Sequence, residues 1–173
     1  MTRSLRSLLL LAFLGLAALG PRAAAAAGAG DPAPELAGIE GWINAEPQSL
    51  AALRGRVVLV NFWTLGCHNC RNTLPYVRRW HERFAERGLV VLGVHTPELP
   101  FERPRLAVES AVRTHGIAYP VAIDAGSHTW NAWGNRYWPA FYFIDRRGTI
   151  RHVRFGEGGY AQSERWIEEL LAE

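Results

Sequence analysis

Residues Arg56 to Phe62 (RVVLVNF) form a β-branched apolar run that leads within four residues into Cys67-His68-Asn69-Cys70. The run follows Gly55 and carries the composition of a strand buried on both faces. Beyond the cysteines the pattern changes period. Leu74, Val77, Trp80, His81 and Phe84 recur at helical spacing, which predicts a helix from the cysteines to about Arg87, stopped by Gly88. Pro75 lies inside that helix and is expected to kink it. The chain must therefore fold around a strand–turn–helix unit with a cysteine pair at its junction.

The remaining pattern supplies further units of the same kind. Ile39 to Ile43 reads as a short first strand and Ser49 to Arg54 as a helical turn. Leu89 to Val94 is a second buried strand, His95 to Pro104 a proline-rich loop, and Arg105 to His115 a helix closed by Gly116. Tyr119 to Ile123 is a short strand, and Thr129 to Tyr137 a short aromatic helix or turn. Ala140 to Ile144 and Thr149 to Phe155 form a hairpin about the turn Asp145 to Gly148, and Ala161 to Leu171 is a last helix with Trp166, Ile167, Leu170 and Leu171 inward. Such an order predicts an α/β domain, a central mixed sheet flanked by helices on both faces. Several folds share that outline.

Residues 1–27 read as a signal peptide, with Arg3 and Arg6 ahead of the apolar run Leu8 to Leu19, and Ala25 and Ala27 forming a small-residue cleavage site. The apolar run is shorter than the roughly 20 residues a spanning helix needs. Residues 28–38 (Gly, Ala and Pro rich) read as a linker and 39–173 as the folded domain. Every basic residue is arginine, and three of the 19 lie in the leader. The 16 that remain balance the 16 carboxylates, so the mature domain is neutral and gives no electrostatic reason to expect a nucleic-acid partner.

The two cysteines, three apart, close almost no loop, and a disulfide between them adds little as a staple. Placed after a strand and at the start of a helix, Cys67 faces unpaired N–H groups and the positive end of the helix dipole. Both favour thiolate, the nucleophile of disulfide exchange. Cys67 is the expected nucleophile and Cys70, one turn inside, the resolving thiol. Structural zinc normally takes four ligands, and no second cysteine pair exists. Haem attachment calls for histidine where Arg71 stands. Copper held by both thiolates and His95 is a competing reading. So is a thiol peroxidase, since Thr64-x-x-Cys67 is similar to the peroxiredoxin Thr-x-x-Cys motif, although Val60 stands where that motif carries proline. No metal and no cofactor beyond the cysteine pair is expected.

The segment Val60 to Trp63 leading to CxxC, with Pro75 five residues beyond, resembles the active-site segment of thioredoxins. NFWTLGCHNCRNTLPYV at 61 to 77, GLVVLGVHTPE at 88 to 98, GNRYWPAFYFID at 134 to 145 and RHVRFGEGGY at 151 to 160 resemble the TlpA-like and DipZ-type exported thioredoxin domains. The resemblance implies a thioredoxin-like fold and thiol–disulfide exchange. Pro139 matches the family's cis proline beside the cysteines, with Trp138 offering backbone groups to an extended substrate. Glu98 matches a glutamate near the active site of TlpA-like reductases, where a partly buried carboxylate would take the proton of Cys70. Asn61 stands where thioredoxin has a buried aspartate. His68 and Asn69 tune the thiolate, and Trp63 is expected to cover the disulfide and shape the substrate surface. His115, His128 and His152 are read as bland.

DipZ-type proteins fuse such a domain to a membrane electron carrier; this chain looks like a free-standing version that is expected to need a separate partner. The resemblance thus implies a reductant of envelope proteins, recharged by a membrane-embedded thiol donor and serving protein disulfides, apocytochromes among them. It would work in the periplasm or cell envelope, free or tethered through an uncleaved leader. A disulfide-donating oxidase is the alternative within the same chemistry.

Overall fold

A computed structural model describes residues 26–173. The expected signal peptide lies outside the described residues save for Ala26 and Ala27. Among the described residues six strands form one sheet in the order β1-β4-β3-β2-β5-β6. They are β1 (Gly41–Ile43), β2 (Val57–Trp63), β3 (Leu89–His95), β4 (Val121–Ile123), β5 (Ala140–Ile144) and β6 (Ile150–Phe155). β2, β3 and β4 run parallel; β1, β5 and β6 are antiparallel to their neighbours. The expected mixed sheet is present, and the strand bounds differ from the sequence reading by at most two residues.

Among the described residues four helices cover the sheet: α1 (His68–Phe84), α2 (Arg105–Thr114), α3 (His128–Ala132) and α4 (Tyr160–Ala172). Side chains alternate along β2. Val57, Leu59 and Trp63 point to the face packed by Leu74, Val77, Trp80 and Phe84 of α1, Val108 and Val112 of α2, and Ile167 and Leu170 of α4. Val58, Val60 and Phe62 point to the other, where Trp133, Tyr142, Ala27 and Leu50 gather. Three helices thus serve one face; the short α3 and irregular chain before β2 serve the other. All seven residues of β2 are buried, as a strand covered on both faces requires.

Residues 28–38, expected as a linker, are tied to the domain. Gly30 N–H donates to Ile150 O, Ala33 N–H to Gly148 O, and Ile150 N–H to Asp31 O. Ala37 and Thr129 exchange hydrogen bonds between backbone and hydroxyl at 2.9 and 2.8 Å. Ala27 is itself buried and donates to Trp133 O. The composition is that of a flexible segment. The unpaired backbone of the β6 edge and the 145–149 turn fixes it instead. The expected aromatic helix at 129–137 ends at Ala132, because Asn135 to Pro139 turn the chain into β5.

Candidate redox site

β2 delivers the chain to the cysteines and α1 begins immediately after Cys67, which occupies its N-cap with extended backbone (φ −72°, ψ 114°). Cys67 Sγ accepts the Cys70 N–H at 3.1 Å. The two cysteines are joined in a disulfide with Cα atoms 5.2 Å apart. Their environments differ: Cys67 is half-buried, while Cys70 is fully buried beneath it, its carbonyl taking the Thr73 hydroxyl at 2.7 Å. The outer sulfur is the one a second molecule can reach.

A shallow cleft of about 490 Å³ opens at Cys67, lined by Gly66, His68, Asn69, Glu98, Arg136, Tyr137 and Trp138. The structure brings His68, Asn69, Glu98 and Trp138 together around Cys67. Tyr137, part of the aromatic stretch that the sequence places around Pro139, lines the cleft as well; Arg136 joins them unforeseen, and its neighbourhood to Trp138–Pro139 is the available signal. The Trp138–Pro139 peptide is cis and Pro139 is buried. Trp138 is half-buried, donates Nε1–H to Thr96 O at 3.1 Å, and stacks on Trp130 with centroids 3.9 Å apart.

Two expectations need correction. Trp63 is fully buried on the α1 side of β2, edge-on to His95 at 5.1 Å, so it supports the site from below and presents no surface to a substrate. The strand continues one residue further than expected, and its alternation carries Trp63 inward. Glu98 is exposed on the cleft rim instead of partly buried. The buried carboxylate on this loop is Glu102, 1% exposed, at the end of a 3₁₀ turn (Pro100–Glu102). Its Oε1 accepts Gly66 N–H at 2.8 Å, and its Oε2 accepts the N–H groups of Glu98 and Leu99 at 2.6 and 2.7 Å. Burial pushes its carboxyl up, but bonds from Leu99, Thr64, Gly66 and Glu98 outweigh this and hold it below its ordinary value.

His95, at the end of β3, completes the layer beneath the turn. Its Nε2 accepts Leu65 N–H at 3.3 Å and faces the Thr64 hydroxyl at 3.4 Å. Burial pushes its pKa down to about 4 against the pull of Glu102, so the ring is neutral at neutral pH. Among the described residues no group of three or more His, Cys, Asp or Glu side chains is placed to hold a metal ion. Asn61 is buried too. Its Nδ2 donates to Ala140 O at 3.2 Å, next to Pro139, and its Oδ1 has no partner among the described groups.

This geometry has counterparts among known proteins. The model of the AhpC/TSA family matches residues 29–153. The chain belongs to the AhpC/TSA family. DipZ of Mycobacterium tuberculosis is 46% identical over 142 residues, covering 80% of this chain and 20% of DipZ. The chain thus spans about a fifth of that relative. The thiol-disulfide oxidoreductase YkuV of Bacillus subtilis is 29% identical over 142 residues, covering 82% of this chain and 95% of that protein. The solution structure of a thioredoxin-like protein in its oxidised form superposes with a TM-score of 0.74 at 30% identity, covering 82% of this chain and 95% of the other. The fold is thioredoxin-like, as the resemblance implies.

Proposed function

We propose that the chain is a thiol–disulfide oxidoreductase that reduces protein disulfides in the cell envelope. The observation that carries this reading is the disulfide itself: a reachable Cys67 at the N-cap of α1, backed by a buried Cys70 one turn on. In the reduced protein the Cys67 thiolate attacks one sulfur of a target disulfide. The target S–S bond breaks, its other sulfur leaves as a thiolate and takes up a proton, and a mixed disulfide forms. Cys70 loses its proton, attacks Cys67 Sγ and expels the second target thiol, leaving the Cys67–Cys70 disulfide. Two electrons have passed to the target, and a dithiol donor must return them.

Reduction as the direction, and a membrane-embedded thiol donor as its source, rest on the resemblance to TlpA-like and DipZ-type domains, and work in the envelope rests on the leader-like first 27 residues. His68 and Asn69, exposed between the cysteines, would tune the thiolate. Trp138 on the cleft, with Pro139 buried behind it, would receive an extended target segment. The deciding experiment is the equilibrium potential of the purified chain in a defined thiol buffer. A value near about −270 mV supports the reductant, whereas one near about −120 mV makes the protein a disulfide donor. The absence of a reversible two-electron couple sinks the exchange reading altogether.

A further inference from the structure

The exchange chemistry above makes no use of Glu102, yet no carboxylate is more tightly built into the site. It is 1% exposed and its two oxygens accept three backbone N–H groups from two separate segments. One of those segments is the redox turn, since Gly66 immediately precedes Cys67. The fit is close. A Cβ on Gly66 would lie 2.5 Å from Glu102 Oε1 and 3.1 Å from Phe101 Cζ.

The charge of this carboxylate is not cancelled locally. Among the described residues no salt bridge reaches Glu102. The neighbouring Arg103 spends its guanidinium on Ala125 O at 2.8 Å. His95 on β3 gives its Nε2 to Leu65 N–H as an acceptor. The other titratable groups facing Cys67 are Glu98 from the same loop, His68 from α1, and Arg136 and Tyr137 from across the cleft, all on the solvent side. A negative charge in a region of low dielectric is felt by a neighbouring ionisable sulfur far more than one in water.

We propose that Glu102 is a positioning residue for the redox pair: it clamps the Gly66 peptide and the 98–99 backbone, and its fixed negative charge opposes ionisation of Cys67. The inference rests on the exchange reading and deepens it. The start of α1 favours the Cys67 thiolate; Glu102 works against it. A thiolate made less favourable leaves the dithiol form less stable relative to the disulfide. The couple then gives up its electrons more readily, which suits a reductant.

The test uses the full chain and its Glu102→Gln and Glu102→Asp variants. Thiolate absorbance is followed against pH, and the dithiol–disulfide equilibrium is read against glutathione. Glu102→Gln should raise the acid dissociation constant of Cys67 about tenfold and shift the equilibrium about tenfold toward the dithiol, a change of about 30 mV. Glu102→Asp, which keeps the charge, should stay closer to the parent protein in both. Gly66→Ala, which displaces the carboxylate, should move both in the same direction as Gln and remains informative if Glu102→Gln fails to fold. Variants that lose thermal stability while both constants stay put would reduce Glu102 to a brace and overturn the inference. A rise in the Cys67 pKa in Glu102→Gln would do the same. No reversible couple in the parent protein would sink this inference together with the exchange reading.

Discussion

The two loops that meet at Cys67 are held by opposite kinds of chemistry. The loop after β3 is pinned by a buried charge, with Glu102 gathering the N–H groups of Gly66, Glu98 and Leu99 above a neutral His95. The loop before β5 is pinned by neutral groups. Trp138 lies against Trp130 and bonds Thr96 O, Asn135 Nδ2 donates to Tyr137 O at 3.3 Å, and the Tyr142 hydroxyl donates to Asn135 Oδ1 at 3.1 Å. A charged clamp acts at a distance and answers to pH, whereas a neutral one acts only through shape. Changes on the first side should therefore appear in thiol ionisation and pH profiles. Those on the second should appear in substrate affinity.

The largest effect belongs to the pair that both loops frame. Cys67→Ser should lower disulfide exchange by at least about a thousandfold, because the nucleophile is gone. Cys70→Ser should instead accumulate mixed disulfides with target proteins, seen as thiol-sensitive bands on non-reducing gels. If only Cys67→Ser accumulated them, the nucleophile and resolving thiol would be exchanged.

The next effect is centred on the charged side. The folded His95 titrates near 4 and the unfolded chain near 6.5, so unfolding takes up a proton between those values. A depressed histidine pKa means that stability is full above about 6.5 and declines as pH falls toward 4, by about 3 kcal/mol from His95 alone. His81 and His152, also pushed down by burial, tilt the curve the same way. Urea unfolding across this window should therefore show a slope that His95→Gln reduces. An unchanged slope would mean that His95 does not supply the pH sensitivity of this wall.

On the neutral side, Trp138→Ala removes a stacked ring and leaves Thr96 O without its donor, at a cost of about 2 kcal/mol. Exchange with protein disulfides should weaken through KM, with the Cys67 acid constant unmoved. A shifted thiol titration in this variant would break the contrast between the two walls.

Much of this site is legible in the amino-acid sequence. The run at 56–62 leads into CxxC, and its buried strand and following helix are where the period change puts them. The cis peptide at Pro139 is implied by the resemblance and is present. What stays hidden depends on direction in space. Alternation along β2 carries Trp63 inward, but a strand buried on both faces shows no polar contrast from which to read its facing. Residues 28–38 look like a linker by composition, and only the backbone donors and acceptors of the 145–150 segment decide otherwise. Glu98 and Glu102 are four apart in one loop, and the chain's fold-back at Pro100 determines which turns inward. One signal exists. Glu102 lies three residues past Leu99, with proline first in the turn, the spacing at which a glutamate reaches back to cap the turn's own N–H groups.

That spacing makes Glu98 the sharpest, and smallest, test of the comparison. Its carboxylate lies on the cleft rim in water, beside Cys67 yet outside the buried layer that holds Glu102. A solvated charge is screened within about a Debye length and shifts its neighbours little. Glu98→Gln should change stability by less than about 0.5 kcal/mol and exchange rates by no more than about threefold, an effect that fades as salt is raised. Its backbone N–H, the part that Glu102 holds, is untouched by the substitution. A tenfold loss in Glu98→Gln that persists at high salt would move the working carboxylate from the buried layer to the rim. Cys70 would then have to pass its proton outward through the cleft, and the distinction between a charged wall and a neutral one would matter less than which residues face the target.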